Sequence, residues 1–458
     1  MASSNVFLKA LRNLFPLRDF LYVLQLEEYE TLPYAKSALR MWFRRGIEKR
    51  DVLRFTARIK ATAGICVALQ ILFAAFFVTQ FPSAAFFAAV LSVCIAGLLT
   101  PFFVGLAHIV LLPFSAFEKT RLQRNAEMYF AEAGKNTKII AIAGSYGKTT
   151  TRHFIYELLK ESYKTQVMPG NINTVIGIAQ WLLTKFDPST QILLVEMDAY
   201  HPGEIAASCR MVKPDIAVLT SIGDQHMVRF GTRARLTEAM QEVFAGSKSD
   251  APRICDAETA NTLKEHGYIF DLALVNDSST YRDQPYEAAL SGSALHDLRF
   301  ALAIAEQLNV PAHFAVDIIK NLTSPDRRQQ PGTMYGYDAI DDSYNISETT
   351  AHAGIAAAKE LAAKKGKKLL VLTAGISELS PEDAEIVNKR YGAYLAEHAD
   401  AVMVLTSIYH PALTEGINGR VPMLSAPSLT EAVPEIQKQF SPEGYVLLVQ
   451  PEMTDLSY

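Results

Sequence analysis

The first strong pattern along the chain is an apolar stretch near the N-terminus. Residues 61–117 contain no Asp, Glu, Lys or Arg, and a membrane-spanning helix needs about 20 apolar residues. Ala61–Phe81 is long enough for one span, Pro82-Ser83 predicts a turn, and Ala84–Leu112 predicts a second span that is long or kinked at Pro101. The pattern therefore predicts a transmembrane helical hairpin over residues 61–117. A pair of buried core helices is the alternative interpretation.

Basic residues flank this apolar stretch on both sides. Lys and Arg are frequent between residues 44 and 60, and Lys119, Arg121 and Arg124 follow the second predicted span. Positively charged flanks tend to stay in the cytoplasm, so both ends of the hairpin are expected there. Residues 1–60 are interpreted as a basic amphipathic juxtamembrane segment. The protein is expected in the inner (cytoplasmic) membrane, with its other domains facing the cytoplasm and membrane lipid as a partner.

After a polar stretch that predicts a linker helix over residues 118–136, apolar runs alternate with amphipathic segments. Such runs, separated by helices, indicate parallel sheets covered on both faces. They begin at Ile139, Ile192, Ile216, Lys368, Ala401 and Tyr445. The Pro-rich, charged segment Thr323–Gly332 predicts a domain boundary. The fold class is therefore α/β, with a mostly parallel central domain over residues 137–327 and a smaller Rossmann-like domain over residues 328–458.

Composition and charge exclude some classes of partner. The net charge is −4 and the sequence pI is near 6.2, so no nucleic-acid partner is expected. The cysteines at positions 66, 94, 209 and 255 are scattered and form no C-x-x-C pair. This spacing favours reduced thiols over a disulfide framework or a zinc site.

The stretch from Ile139 to Thr151 carries the clearest chemistry. A β-branched strand breaks at Gly144-Ser-Tyr-Gly147, and Lys148, Thr149 and Thr150 then precede a helix-like segment. A glycine turn between a strand and a helix N-terminus presents backbone N–H groups to phosphate oxygens. The lysine can reach the terminal phosphates, and a threonine hydroxyl can bind Mg²⁺. Ile142 replaces the first glycine of the strict pattern, so the match is the shorter G-x-x-G-K-T-T form.

Two further polar side chains follow predicted strands. Glu196 ends one apolar run, and His226 lies just beyond another. Open α/β sheets bind ligands at the carboxyl ends of their strands, so both side chains are candidate Mg²⁺ ligands beside the phosphate loop, although Mg²⁺ prefers oxygen. A capping or hydrogen-bonding role is the alternative for each.

A set of motifs resembles the Mur ligase family. It comprises Gly144-Ser-Tyr-Gly-Lys-Thr-Thr150, Gly170-Asn-Ile-Asn173, Glu196-Met-Asp-Ala-Tyr-His-Pro-Gly-Glu204, Lys213-Pro-Asp215, Ile222-Gly-Asp-Gln-His226 and Asp341-Asp-Ser-Tyr-Asn345. The resemblance covers roughly residues 137 to 450. It is closest to the branch that adds D-alanyl-D-alanine to a UDP-linked muramoyl-tripeptide.

The resemblance implies an ATP-dependent amide ligase of peptidoglycan precursor synthesis. ATP would phosphorylate an acceptor carboxylate, and an amino acid or dipeptide would attack the acyl phosphate. By resemblance, Gly144, Ser145, Gly147, Lys148, Thr149 and Thr150 bind the nucleotide, together with Arg327 and with Asp342 on the ribose. Thr149 would hold one Mg²⁺, Glu196 and His226 would hold a second, and Asn171 would lie close by. ATP and Mg²⁺ are the implied cofactors, and a muramoyl-peptide acceptor is the implied partner.

The sequence departs from the family pattern at four places. Met240 stands where the family has a carbamylated lysine, with Glu242 or a water as the alternative substitutes, and the adenine motif reads His296-Asp297. Gln450-Pro-Glu-Met453 replaces a basic C-terminal segment, and the membrane hairpin takes the place of the uridine-nucleotide-binding domain. The alternatives are a ligase that uses another amino acid or a lipid-linked acceptor, and an ATP-binding membrane scaffold without turnover.

Overall fold

A computed structural model describes most of the chain. The residues described are 16–27, 29–44, 53–170, 172–223, 230–288, 290, 292–325, 330–343, 346–377, 379, 381–406 and 409–451. They fall into two compact units, one up to Thr120 and one from Arg121 onward.

The N-terminal unit is helical in its described part. Phe20, Tyr34 and Val104 are among the buried side chains that join its helices into one core. The bounds are α1 Leu17–Leu26, α2 Thr31–Arg44, α3 Ala57–Thr79, α4 Ala85–Leu98 and α5 Thr100–Ala133, the last of which continues beyond the unit. Helices α3 and α5 are long and apolar enough to cross a membrane, and most of their apolar length is not buried by other described residues. This exposure does not fit the alternative of two core helices.

The second predicted span is divided in the structure. A turn over Pro82–Ala84 separates α3 from α4, as predicted, but α4 ends at Leu98 and α5 begins at Thr100. Pro101 therefore lies in the first turn of a new helix, where its missing N–H has no intrahelical partner to lose. The predicted irregularity at Pro101 is present as a break between two helices at Leu99, two residues before the proline. Residues 118–133 are helical, as predicted for the linker, but they belong to α5, which begins at Thr100 and runs through Pro113 to Ala133.

A parallel sheet forms the core of the central region. Among the described residues its strand order is β2-β3-β1-β4-β5-β6, and every pair is parallel. The strands are β1 Lys138–Ala143, β2 Thr165–Val167, β3 Ile192–Glu196, β4 Ile216–Leu219, β5 Arg253–Cys255 and β6 Ala273–Leu274. Ile139 and Ala141 point into one apolar cluster while Ile140 and Ile142 point into another, so both faces of the sheet are covered.

Helices surround this sheet, and a short hairpin lies beside it. The helices are α6 Lys148–Leu159, α7 Val175–Lys185, α8 Glu204–Val212, α9 Arg233–Ala245, α10 Ala257–Glu265, α11 Gly292–Gln307 and α12 Ala312–Ile319. The hairpin pairs β7 Thr280–Tyr281 with β8 Gln284–Pro285.

A second sheet forms the C-terminal region. Its order among the described residues is β13-β12-β11-β14-β10-β9, parallel except for the antiparallel edge strand β9. The elements are β9 Gln330–Met334, β10 Tyr337–Asp341, α13 Glu348–Lys365, β11 Lys368–Thr373, α14 Pro381–His398, β12 Ala401–Leu405, α15 His410–Ile417, β13 Met423–Ala426, α16 Leu429–Gln439 and β14 Tyr445–Gln450. The predicted α/β fold with mostly parallel sheets is confirmed. The predicted domain division at residues 327/328 lies outside the described residues.

Candidate functional site

The glycine turn joins β1 directly to α6. Gly144 has φ +138° and Gly147 has φ +81°, and a positive φ is costly for residues with a Cβ. A Cβ at Gly144 would overlap the Thr220 hydroxyl, and one at Gly147 would overlap the Asp297 carboxylate. Helix α6 therefore begins at Lys148, immediately after the turn, and its first N–H groups are available to an anion.

The segment after β4 braces the turn. Ser145 N donates to Ser221 O at 3.0 Å, and Tyr146 N donates to Ser221 Oγ at 2.8 Å. Gly223 N donates to Ser145 Oγ at 2.9 Å. The loop conformation is thus held by backbone and hydroxyl groups of the neighbouring strand end, and the Ser145 hydroxyl takes part in that brace.

Lys148 is buried at the start of α6. Its Nζ donates to Gly144 O at 2.5 Å and lies 3.2 Å from Asp198 Oδ2. Asp198 follows Glu196 by two residues, just beyond the end of β3. The ammonium is therefore held over the glycine turn by a carboxylate from the adjacent strand, where it can face a phosphate.

Thr149 and Glu196 are in direct contact. The Thr149 hydroxyl lies 3.0 Å from Glu196 Oε2 and 3.2 Å from Oε1, and Glu196 is almost fully buried. This contact is a hydrogen bond between two oxygen groups of the kind that Mg²⁺ prefers, and it places both candidate ligands side by side at the end of the phosphate loop. Thr150 is also buried, one residue further along α6.

Arg152 completes this group. Its Nη1 lies 3.7 Å from Glu196 Oε2 and donates to the carbonyl of Met168. A Cβ at Gly170 would lie 3.1 Å from Arg152 Nη2 and 3.2 Å from Glu196 Oε2. The Gly170 backbone therefore packs against both charged groups, one residue before Asn171.

Three predicted site residues cannot be compared with this geometry. Asn171, His226 and Arg327 lie outside the described residues. The structure brings together Gly144, Ser145, Gly147, Lys148, Thr149 and Glu196. The ligand roles of all these residues remain predictions.

Sequence reasoning missed Asp198 and Arg152. Asp198 is a second carboxylate at the strand edge that already drew attention to Glu196. Arg152 lies four residues after Lys148, on the same face of α6. Both signals were present in the sequence, but their partners only become apparent once β3 and α6 are packed together.

Asp342, predicted to bind ribose, follows β10 in the second sheet. Its Oδ2 accepts a hydrogen bond from Gln450 Nε2 at 3.0 Å, and Gln450 Oε1 accepts one from the Tyr391 hydroxyl at 2.7 Å. Burial raises the pKa of that tyrosine. Gln450 is the first residue of the segment that departs from the family pattern. Its side-chain amide therefore holds the Asp342 carboxylate in place.

Met240 packs in the protein core, and Glu242 accepts hydrogen bonds at the N-terminus of a helix. Met240 is buried in the core of the central region. Glu242 Oε2 accepts a hydrogen bond from Ala206 N at 2.9 Å, and Oε1 accepts one from Gly203 N. Burial nevertheless raises the pKa of Glu242. The carboxylate thus caps the N-terminus of α8, which does not favour it as a substitute for the family's modified lysine.

The two residues of the altered adenine motif, His296 and Asp297, contact different parts of the protein. His296 Nε2 lies 3.2 Å from Asp256 Oδ2, and Asp256 also caps α10 through Thr259 N. The hydrogen bond with Asp256 raises the pKa of His296 despite its partial burial. Asp297 instead packs against Gly147 of the phosphate loop.

Comparison with known proteins agrees with the motifs. Residues 142–293 match the Mur ligase middle domain. A UDP-N-acetylmuramoyl-tripeptide–D-alanyl-D-alanine ligase of Bacillus subtilis is 30% identical over 276 residues, which are 55% of this chain and 59% of the relative. The Escherichia coli ligase of the same name is 27% identical over 158 residues, 34% of this chain and 35% of the relative. The predicted resemblance is confirmed, and the chain spans less than two thirds of these curated relatives.

Solved structures show the same fold. The MurF ligase of Thermotoga maritima in complex with ADP superimposes with a TM-score of 0.62 at 22% identity, covering 73% of this chain and 80% of that one. A MurF structure from Acinetobacter baumannii gives a TM-score of 0.60 at 21% identity, over 73% of this chain and 77% of that one.

Proposed function

We propose that this protein is an ATP-dependent amide ligase of peptidoglycan precursor synthesis, which adds D-alanyl-D-alanine to a muramoyl-tripeptide. The observation that carries the proposal is the convergence of Lys148, Thr149 and Glu196 on one glycine turn. The Mur ligase middle domain and the names of the relatives support the same reaction class.

The geometry suits phosphoryl transfer from ATP to a carboxylate. That reaction depends mainly on positioning and on neutralising charge. The turn and the N-terminus of α6 would cradle the phosphates, and Lys148 would contact the two terminal ones, including the one that is transferred. Thr149 and Glu196 would hold a Mg²⁺ that neutralises phosphate charge. The amine would then attack the acyl phosphate, forming the amide as phosphate leaves.

Arg152 contacts Glu196 and Asp198 contacts Lys148, so each would orient one of these groups. Arg152 would hold the buried Glu196 carboxylate in place, since its Nη1 lies 3.7 Å from Glu196 Oε2. Asp198 holds Lys148 over the turn. In this proposal both are positioning residues, and neither contacts the reacting atoms.

We further propose that the N-terminal unit anchors the protein in the cytoplasmic membrane. The support is the length and apolar surface of α3 and α5 and the basic flanks at residues 44–60 and 119–124. With both flanks in the cytoplasm, the nucleotide site has access to ATP.

A product assay on the detergent-purified full chain tests the ligase proposal. The protein receives ATP, Mg²⁺, UDP-N-acetylmuramoyl-tripeptide and D-alanyl-D-alanine, and both ADP release and product mass are measured. A pentapeptide product is expected. ADP release without it would leave the ligase chemistry and exclude this substrate pair, whereas no ADP with any acceptor would favour a scaffold.

Lys148→Ala is expected to lower kcat/KM by about 10²- to 10³-fold, which is the usual cost of removing one group that stabilises transition-state charge. Lys160→Ala is the matched control, because Lys160 lies just beyond the other end of α6, where it pairs with Glu157 and lies over the Tyr156 ring. Equal activity of the two variants would contradict the proposed role of Lys148.

A further inference from the structure

A cavity in the N-terminal unit is not used by the proposed chemistry. It has a volume of about 340 Å³ and lies between α2 and α5, within the range of ligand pockets. Ala35, Ala38 and Gly105 leave the space, while large apolar side chains wall it. The Tyr34 hydroxyl donates to Pro101 O at 2.8 Å, so it is already satisfied within the wall. Such a lining suits a hydrocarbon chain.

One polar side chain of the cavity lining contacts a buried histidine behind it. Thr31 lines the cavity, and its Oγ1 lies 3.3 Å from His108 Nε2. His108 is fully buried. The Tyr29 backbone lies close to the imidazole, but Nδ1 has no hydrogen bond of normal geometry to any described residue.

A cation lies near the residues that adjoin Thr31, although it does not itself line the cavity. The guanidinium carbon of Arg58 is 4.1 Å from the centre of the Tyr29 ring, two residues before Thr31, and its charge acts on His108. Arg58 Nε is buried and has no hydrogen-bond partner among the described residues. A buried donor left unpaired is costly, and guanidinium groups suit phosphate oxygens. The polar group next to the cavity, formed by Thr31, His108 and Arg58, is therefore complementary to a phosphate.

We propose that this cavity binds the hydrocarbon chain of a prenyl phosphate, with the phosphate beside Arg58 and His108. The choice of lipid follows from spacing. Thr31 both lines the apolar cavity and contacts His108, so hydrocarbon and donors are one side chain apart. In a prenyl phosphate the phosphate is bonded directly to the chain, whereas glycerol and ester carbonyls separate the two in a diacyl phospholipid.

Binding of the lipid does not depend on the proposed function, but its role as carrier of the acceptor rests on that function. A muramoyl-peptide acceptor carried on such a phosphate would be bound by the same polypeptide that holds the ligase site. Binding of the chain itself can be measured without turnover.

Photo-crosslinking tests the proposal directly. The full chain is placed in phosphatidylcholine nanodiscs with a prenyl phosphate that carries a diazirine on its chain, and labelled peptides are mapped. Labelling is expected in α2 and between Leu99 and Ile109. Unlabelled prenyl phosphate should compete, and prenyl alcohol and phosphatidylglycerol should not. Equal competition by phosphatidylglycerol would overturn the proposal in favour of an ordinary bilayer lipid.

Two pairs of variants locate the site. Ala35→Trp fills the cavity from an exposed position, and Ala75→Trp adds the same ring to an exposed position of α3. Only the first should reduce labelling, by about tenfold or more. Arg58→Gln should weaken competition by about tenfold, as expected for a hydrogen bond to a charged group. Arg54→Gln, at an exposed neighbouring arginine, should not. Equal effects within either pair would overturn the assignment.

The same nanodiscs also separate this proposal from the ligase proposal. ADP release is measured with the soluble and the prenyl-linked acceptor. Specific labelling without ADP release from either acceptor would uphold the lipid site and contradict the ligase. Product formation without specific labelling would uphold the ligase and contradict the lipid site.

Discussion

Lys148 and Asp198 form a buried ion pair beside the phosphate loop, with their charged atoms 3.2 Å apart. A phosphate that binds Lys148 must share the ammonium with Asp198 or displace it. Attraction between charges at this distance is about 5 kcal/mol at the effective dielectric near a protein surface and weaker in water. The carboxylate thus competes with the nucleotide for one cation, which makes the affinity for ADP sensitive to this residue.

We therefore expect Asp198→Asn to bind ADP about threefold to tenfold more tightly, because the amide keeps the shape of the side chain and removes the competing charge. Calorimetric titration of ADP measures the effect. Asp187→Asn is the control, since Asp187 pairs with Lys164 at a largely exposed site. Weaker ADP binding by Asp198→Asn would mean that orientation of Lys148 outweighs the competition.

Gly354 lies within α13 against the group that holds Asp342. A Cβ there would overlap Asp342 Oδ2 and would lie 2.5 Å from Gln450 Nε2. Glycine to alanine within a helix normally stabilises a protein by about 1 kcal/mol, but overpacking of a buried site costs about 1–3 kcal/mol. Because the added Cβ would overlap Asp342, the overpacking cost should outweigh the gain in helix stability. Gly354→Ala should therefore lower both the melting temperature and the affinity for ADP.

Gly332→Ala is the matched control for this substitution, since a Cβ at Gly332 meets no atom within 4 Å. Thermal unfolding and ADP titration of both variants make the comparison. A Gly354→Ala protein as stable as the parent would show that Asp342 and Gln450 can move apart without loss.

At the scale of elements, prolines and caps decide where helices begin. Pro101 lies in the first turn of α5 rather than in the middle of a longer helix. Thr56, Thr174, Thr232 and Ser347 each accept a hydrogen bond from a backbone N–H of the first helical turn. These local signals locate helix ends, but they do not specify which elements then pack together.

The contact between α10 and α11 should depend on pH. The hydrogen bond with Asp256 raises the pKa of His296 above its unfolded value near 6.5. A raised folded pKa contributes stability that is fully present below the unfolded pKa and is lost as pH rises through the folded pKa. The parent should therefore lose more stability than His296→Gln between pH 6 and pH 8.5. The difference should be no more than about 2–4 °C, since a half-exposed pair contributes about 1 kcal/mol or less.

Melting curves of the purified protein at the two pH values measure this difference. His313→Gln provides the control, because His313 is exposed on the neighbouring α12. If His296→Gln and the parent respond equally to pH, the His296–Asp256 contact contributes nothing to stability.

At the scale of the whole molecule, the proposed membrane topology can be tested by cysteine labelling. The basic flanks should hold both ends of the apolar segment in the cytoplasm, which places the turn between α3 and α4 outside. Ser83→Cys should react with a membrane-impermeant maleimide in intact cells. Lys135→Cys should react only after permeabilisation. Labelling of Lys135→Cys in intact cells would contradict the topology and the cytoplasmic nucleotide site.

Much of the fold could be predicted because it depends on local patterns. Continuous apolar runs indicated strands buried on both faces, and the strands beginning at Lys138, Ile192, Ile216, Lys368, Ala401 and Tyr445 are all present in parallel sheets. The glycine turn before Lys148 was equally local, since it needs positive φ at Gly144 and Gly147.

The sequence by itself determined the α/β class, the apolar N-terminal segment and the phosphate loop, because periodicity, chain length and glycine geometry are properties of neighbouring residues. Only the tertiary structure decided which polar side chains meet. Glu196 reaches Thr149 across 47 residues of sequence, and Gln450 reaches Asp342 across 108. Such contacts depend on strand order and helix packing, which bring distant residues within a few ångströms and leave no periodic signal along the chain.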